Sequence, residues 1–224
     1  MLIKSINAFS NDMNDEFYEV FQIKDIFQRT LFIRAIKFLL FSLALTVIAL
    51  FVTYVANPDI GAVTEGISRS IDPDLKEATG IKKVWAYIVN NGFMVPLQMI
   101  ALAIVPIQFL YVLNIATTVT LPGILFALVL RADASQGLKL MIATIPHYML
   151  EVIAYCLLAA ALFKVNEALR GKIKSLFRKE NCSLSFNKYF IQTVALYVVF
   201  VLPIIIIAAF TETYVADMIL NVLQ

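Results

Sequence analysis

Apolar residues run almost unbroken over 35–56 (AIKFLLFSLALTVIALFVTYVA). At about 1.5 Å per residue, a helix of that length crosses the roughly 30 Å hydrocarbon core of a bilayer. The pattern then turns polar over 57–83, where glycines, prolines and mixed charges mark an exposed loop. From Val84 to Leu130 no charged residue occurs, a run too long for one crossing, so the chain must fold back within it. The break is expected near Asn114, giving spans at about 91–113 and 115–130. The second of these is short and carries Thr117, Thr118, Thr120, Pro122 and Gly123. It reads as a full span in preference to a re-entrant helix. Two further spans follow, at about 138–163 and 189–210.

Flanking segments have a different periodicity. Phe17, Val20, Phe21, Phe27 and Leu31 recur at helical spacing among charged residues, so the 1–34 segment predicts an amphipathic helix at the interface or packed under the bundle. In the tail, 211–224, Phe210, Tyr214, Met218 and Val222 stand four apart and predict a short amphipathic helix. The expected fold is therefore an all-α integral membrane protein, a bundle of about five transmembrane helices with an amphipathic helix at each end.

Composition agrees: 61% of the residues are hydrophobic and 15% charged, which excludes an ordinary soluble domain. A net charge of +2 points to no nucleic-acid partner, but the distribution of charge is informative. The 164–188 segment holds seven Lys or Arg against two acids, whereas the tail has Glu212 and Asp217 and no base. By the positive-inside rule the N-terminal arm and the 164–188 loop face the cytoplasm, and the 57–83 loop and the tail lie outside. The N-terminus is then cytoplasmic and the C-terminus external. Cys156 and Cys182 do not form the dense pattern of a disulfide-stapled fold and are expected to be structural.

Within the fourth span, ATIPHYMLEVIAYCLLAAALF sets Pro146, His147 and Glu151 at membrane depth. An ionisable group there costs on the order of 2.5–3.5 kcal/mol and needs a partner or water. His147 and Glu151 are four apart and share a helix face, so they are expected to form a polar centre, either bonded to each other in a dry core or used to bind an ion, relay a proton or hold a partner helix. Pro146 frees a carbonyl one turn earlier. Asn114, Thr117 and Thr118 are candidate contributors to this centre. On this reading Glu151→Ala impairs the protein more than Glu212→Ala, because it strips His147 of its partner.

Required catalytic constellations are missing from the sequence. A zinc site needs three or four ligands, and the chain has one histidine. No phosphate-binding Gly-rich loop, Gly-x-Ser-x-Gly elbow or aspartate pair within spans is present. A non-enzymatic protein is expected, without a cofactor.

The order of VNNGFM with Asn90 and Asn91, YVLNIA with Asn114, IATIPHYMLEVIAYCLLAAAL, and a last span ending IAAFTETYV resembles the stage II sporulation protein M family. The resemblance maps the family's Pro-His-Gly motif and following glutamate onto Pro146, His147 and Glu151, and its terminal glutamate onto Glu212. Tyr148 stands where the family has glycine, and Ile115 follows Asn114 where the family tends to have Asn-Gly, which marks a divergent branch. The family implies a scaffold role in the bacterial cytoplasmic membrane. Its founding members recruit cell-wall hydrolases, and relatives resembling this chain serve circular-bacteriocin maturation, export or immunity beside an ABC transporter.

Expected partners are thus the lipid bilayer and other membrane proteins, or a second copy of the chain. The competing expectation is a small oligomeric channel or transporter that uses the same polar residues, supported by Pro96, Pro106 and Pro122 in the uncharged run.

Overall fold

The computed structural model describes residues 29–61, 63, 65, 78–178 and 185–223. Five long apolar helices form a membrane-spanning bundle: α1 (Arg29–Ala56), α2 (Gly80–Ile104), α3 (Val112–Ala132), α4 (Ala134–Arg178) and α5 (Phe186–Leu223). Among the described residues there is no strand. The amphipathic pattern expected over 17–31 and the thiol of Cys182 lie outside the described residues, apart from the first turn of α1.

α4 is the axis of the bundle and packs against the other four helices. Its most apolar stretch is 61% buried, against 17% for that of α1, so α1 is the most lipid-facing helix. Only one face of α1 is buried, and it consists of Ala35, Ser42, Thr46, Ala49 and Thr53. Ile36, Leu40, Phe41, Val47, Ile48 and Phe51 point outward. Lipid tails are as apolar as leucine, so helices associate through small residues that permit close approach. Thr46 shows the consequence: its hydroxyl donates to Ser42 O or Val119 O, at 3.0 and 3.1 Å, and meets the Tyr148 hydroxyl, which ties α1 to α3 and α4. Cys156 is buried beside Ser42, their Sγ and Oγ 3.7 Å apart.

Helix ends follow from local chemistry. α1 stops at Asn57, which takes a left-handed φ of 49° before Pro58, an αL cap that suits asparagine. Asp133 starts α4 by accepting from the backbone N–H groups of Ser135 and Gln136 at 2.8 and 3.0 Å. The tight α3–α4 turn brings Gly137 against Leu130, where a Cβ would come within 2.7 Å of Leu130 Cα.

Several expected boundaries shift. The fold-back in the uncharged run lies at 105–111, not at Asn114, because Val105 turns extended ahead of Pro106 and Phe109 adopts φ +67°. Asn166 of α4 fastens this turn, donating to Ala103 O and Val105 O at 2.9 and 2.8 Å. The second helix starts at Gly80, so Lys82 and Lys83 belong to it and not to the preceding loop. α3 is one continuous helix of 21 residues. α4 continues past Phe163 through most of the segment read as a loop, and the tail read as separate is the end of α5.

Arg34, Lys164, Arg170 and Lys188 gather at one end of the bundle, called here the basic end. Arg34 reaches α4 there, with its guanidinium 4.1 Å above the Phe163 ring. At the opposite end Arg131 donates to Tyr54 O, and Lys83 meets Glu212.

Candidate functional site

Between α2, α4 and α5 runs a polar seam at membrane depth. Glu151 is 12 residues past Lys139 and 13 before Lys164. At 1.5 Å per residue it is about 18–20 Å from either flanking charge, at the middle of the span. Its Oε1 accepts from Asn91 Nδ2 at 2.6 Å. Asn90 donates to Asn91 Oδ1 at 2.7 Å, which orients that amide.

One turn nearer the opposite end, His147 Nδ1 lies 2.7 Å from Glu212 Oε2. The contact is a close polar pair. Glu212 Oε1 also accepts from the Tyr87 hydroxyl at 3.0 Å and lies 3.8 Å from Lys83 Nζ. Lys83 in turn stands 5.8 Å from the Tyr87 ring centroid.

The expected pairing of His147 with Glu151 is therefore replaced. Each residue is answered from another helix, His147 from α5 and Glu151 from α2. Their spacing on α4 permits contact, but facing helices place closer partners at each: Asn91 at 2.6 Å from Glu151 and Glu212 at 2.7 Å from His147. Asn114 is not in the seam either. It donates to Gln98 at 3.4 Å, and the Thr117 hydroxyl donates to Asn114 O at 2.9 Å. Asn114, Thr117 and Thr118 are on α3, which packs mainly on α1 and α4. Pro146 lies within α4 beside His147 without interrupting the helix.

Backbone irregularity shapes the seam. Residues Ile88–Met94 of α2 form a π-turn in which Val95 N–H bonds to Asn90 O, leaving Asn91 O without its usual donor. Pro96 follows and has no N–H, so Gly92 O also loses its α-helical donor. Two tyrosine hydroxyls take these carbonyls: Tyr155 donates to Asn91 O at 3.0 Å, and Tyr197 donates to Gly92 O. Two further π-turns lie on α5: Tyr197–Val201 begins at the Tyr197 that caps Gly92 O, and Thr211–Val215 carries Glu212. Sequence reasoning missed Lys83, Tyr87, Tyr155 and Tyr197, although a signal existed. Lys83, Tyr87 and Asn91 are spaced by four on α2, as His147, Glu151 and Tyr155 are on α4.

These carbonyl caps carry a prediction. Tyr155→Phe and Tyr197→Phe each leave a buried carbonyl unpaired and are expected to cost about 1 kcal/mol in unfolding assays in detergent. Pro96→Ala restores a donor for Gly92 O, so Tyr197→Phe is expected to cost less in that background. Strict additivity in the double variant would contradict this account of the π-turn.

The seam holds one histidine and two glutamates, and among the described residues no three His, Cys, Asp or Glu side chains converge as a metal site. Its chemistry is that of interhelical pairing. Fold and seam together define a multi-pass, all-helical membrane protein with a polar seam shared by three helices. The chain belongs to the stage II sporulation protein M family, whose family model matches residues 35–217. No curated protein and no solved structure matches it significantly.

Proposed function

We propose that the protein is a non-enzymatic accessory subunit, a membrane scaffold of the stage II sporulation protein M type that holds a partner complex at the bacterial cytoplasmic membrane. The observation that supports this most is that the ionisable groups of the seam are each met by a polar side chain of another helix. Glu151 goes to Asn91, and His147, Tyr87 and Lys83 all go to Glu212. Groups spent on pinning α2, α4 and α5 suit a rigid scaffold better than a passage.

The partner-facing element on this reading is the end of α4. Its 45 residues extend about 68 Å, more than twice the hydrocarbon core. The part beyond Phe163 projects from the basic end, which the positive-inside rule assigns to the cytoplasm. There Lys172 and Lys174 are exposed, and Leu176 and Phe177 are 76% and 86% exposed. A basic arm tipped with apolar residues suits a cytosolic or membrane-bound partner such as the ATPase of an ABC transporter in a bacteriocin maturation, export or immunity complex. A cell-wall hydrolase complex would be reached from the external end instead.

Affinity purification of the full chain from its host in mild detergent, with mass spectrometry of the co-purifying proteins, tests the proposal. Recovery of such a partner by the native chain, and its loss with K172E/K174E/F177S, is the expected result. Recovery of the chain alone, together with ion flux in liposomes that Glu151→Gln abolishes, would replace it with the channel or transporter reading. That reading draws support from the seam's reach from Lys83 at the opposite end to Glu151 at mid-span.

A further inference from the structure

A cleft of about 50 Å³ opens at the basic end between α1, α4 and α5. It is several times the roughly 10–15 Å³ that a single water needs. Arg34 from α1, Lys164 from α4, and Tyr189, Gln192 and Thr193 from α5 contribute its polar lining.

Three observations separate this cleft from an ordinary fringe of interfacial cations. First, Arg34 is folded inward. It lies over the Phe163 ring at 4.1 Å, with Nη1 3.5 Å from Ala160 O, whereas Lys37 one turn away is exposed. Stacking fixes the guanidinium plane and leaves edge N–H groups free to bind. Arg34 has no carboxylate partner among the described residues.

Second, Gln192 Nε2 is buried and has no hydrogen-bond partner. A buried amide donor left unpaired costs about 1–3 kcal/mol, which a turn of the Gln192 amide toward an acceptor in the cleft would recover. Third, the chemically strong groups here are donors: a guanidinium, an ammonium and an amide N–H. Among the described residues a carboxylate, Glu167, meets Lys164 at 2.8 Å from outside the cleft lining.

We propose that this cleft binds a phosphate group, with Arg34 and Lys164 supplying charge and Gln192 Nε2 a neutral donor. A guanidinium fork with a flanking ammonium matches the oxygens of a phosphate. Two sources present that chemistry at this depth: the headgroup of an anionic phospholipid in the adjacent leaflet, and phosphate free in solution. Glu167 competes with the ligand for Lys164.

Delipidated full-length protein in a non-ionic detergent is titrated with phosphatidylglycerol in mixed micelles, and bound lipid is counted by native mass spectrometry. One tightly held lipid per chain is expected. Arg34→Gln and Lys164→Gln each weaken it about tenfold, the loss of one charge-assisted contact. Gln192→Leu weakens it less, and Glu167→Gln tightens it. Displacement of the lipid by inorganic phosphate would show that the soluble ion is the ligand. Retention against phosphate, with loss to excess phosphatidylglycerol, would show that the headgroup is.

Equal lipid retention by the native chain and all four variants, with no response to phosphate, would overturn the proposal and leave only annular lipid. Should Arg34→Gln disturb folding through its contact with α4, Lys164→Gln and Glu167→Gln carry the test. Circular dichroism and a monodisperse elution profile establish which variants are folded.

Discussion

Gly123→Leu is expected to abolish the folded bundle, and Gly123→Ala to destabilise it by about 1–3 kcal/mol, the usual cost of overpacking. A Cβ on Gly123 would stand 2.5 Å from Thr46 O, 3.0 Å from Ala49 Cβ and 3.2 Å from Leu50 N. Two of these three atoms are backbone, so no side chain can swing aside, and α1 and α3 would have to separate. Separation would also break the bonds from the Thr46 hydroxyl to Val119 O and the Tyr148 hydroxyl, which depend on the same close approach. Gly80 supplies the control, since nothing lies within 4 Å of an added Cβ and only its φ of +56° resists substitution. Gly80→Ala is expected to cost about 1–2 kcal/mol from backbone strain alone. Detergent melting with helicity as the readout checks both. A Gly123→Leu variant that melts like the native chain would mean that α1 is not packed against α3 at this point.

The same glycine shows what hydropathy could and could not reveal. Long apolar runs announced the number of spans, because only helices with every backbone group satisfied cross lipid. The packing faces stayed hidden, since a scan that seeks large apolar side chains marks the lipid-facing side of α1, and its buried side is Ala35, Ser42, Thr46, Ala49 and Thr53. Boundaries slipped where a charge has a partner within the bundle. Lys83 looked like the end of a loop, yet it stands within α2 because Glu212 and the Tyr87 ring receive it.

Tyr148 is a case where the departure from the family pattern has a local counterpart. A glycine there would leave space against α1, and in this chain the Tyr148 ring is buried with its hydroxyl on Thr46. For the candidate site, His147 and Glu151 were legible from charge at depth, but their partners were not. Asn91 and Glu212 are each presented on a π-turn, which shifts a side chain around the helix axis relative to α-helical spacing. Pro96 hints at the first of these turns. No proline follows within the second, and nothing in the pattern of TETYVADM signals it.

Glu212→Ala is expected to be the most damaging single change in the seam, at about 1–3 kcal/mol, the cost of leaving buried polar groups without their acceptor. One carboxylate serves three groups: His147 at 2.7 Å, the Tyr87 hydroxyl at 3.0 Å and Lys83 Nζ at 3.8 Å. Its side chain and that of His147 are only 18% and 12% exposed, so solvent cannot take over. Glu151→Ala removes one acceptor from one amide. Single interhelical bonds in membranes average about 0.6 kcal/mol and reach about 1.7. The expected order is therefore Glu212→Ala worse than Glu151→Ala, the reverse of what spacing on α4 alone suggests. Glu212→Gln keeps an acceptor for Tyr87 and loses the charge, so it should fall between them. A cycle of His147→Ala, Glu212→Ala and the double variant, measured by chemical unfolding in detergent, isolates the α4–α5 contact. Coupling near zero between these two positions, or a Glu151→Ala variant less stable than Glu212→Ala, would show that α5 is not held through His147.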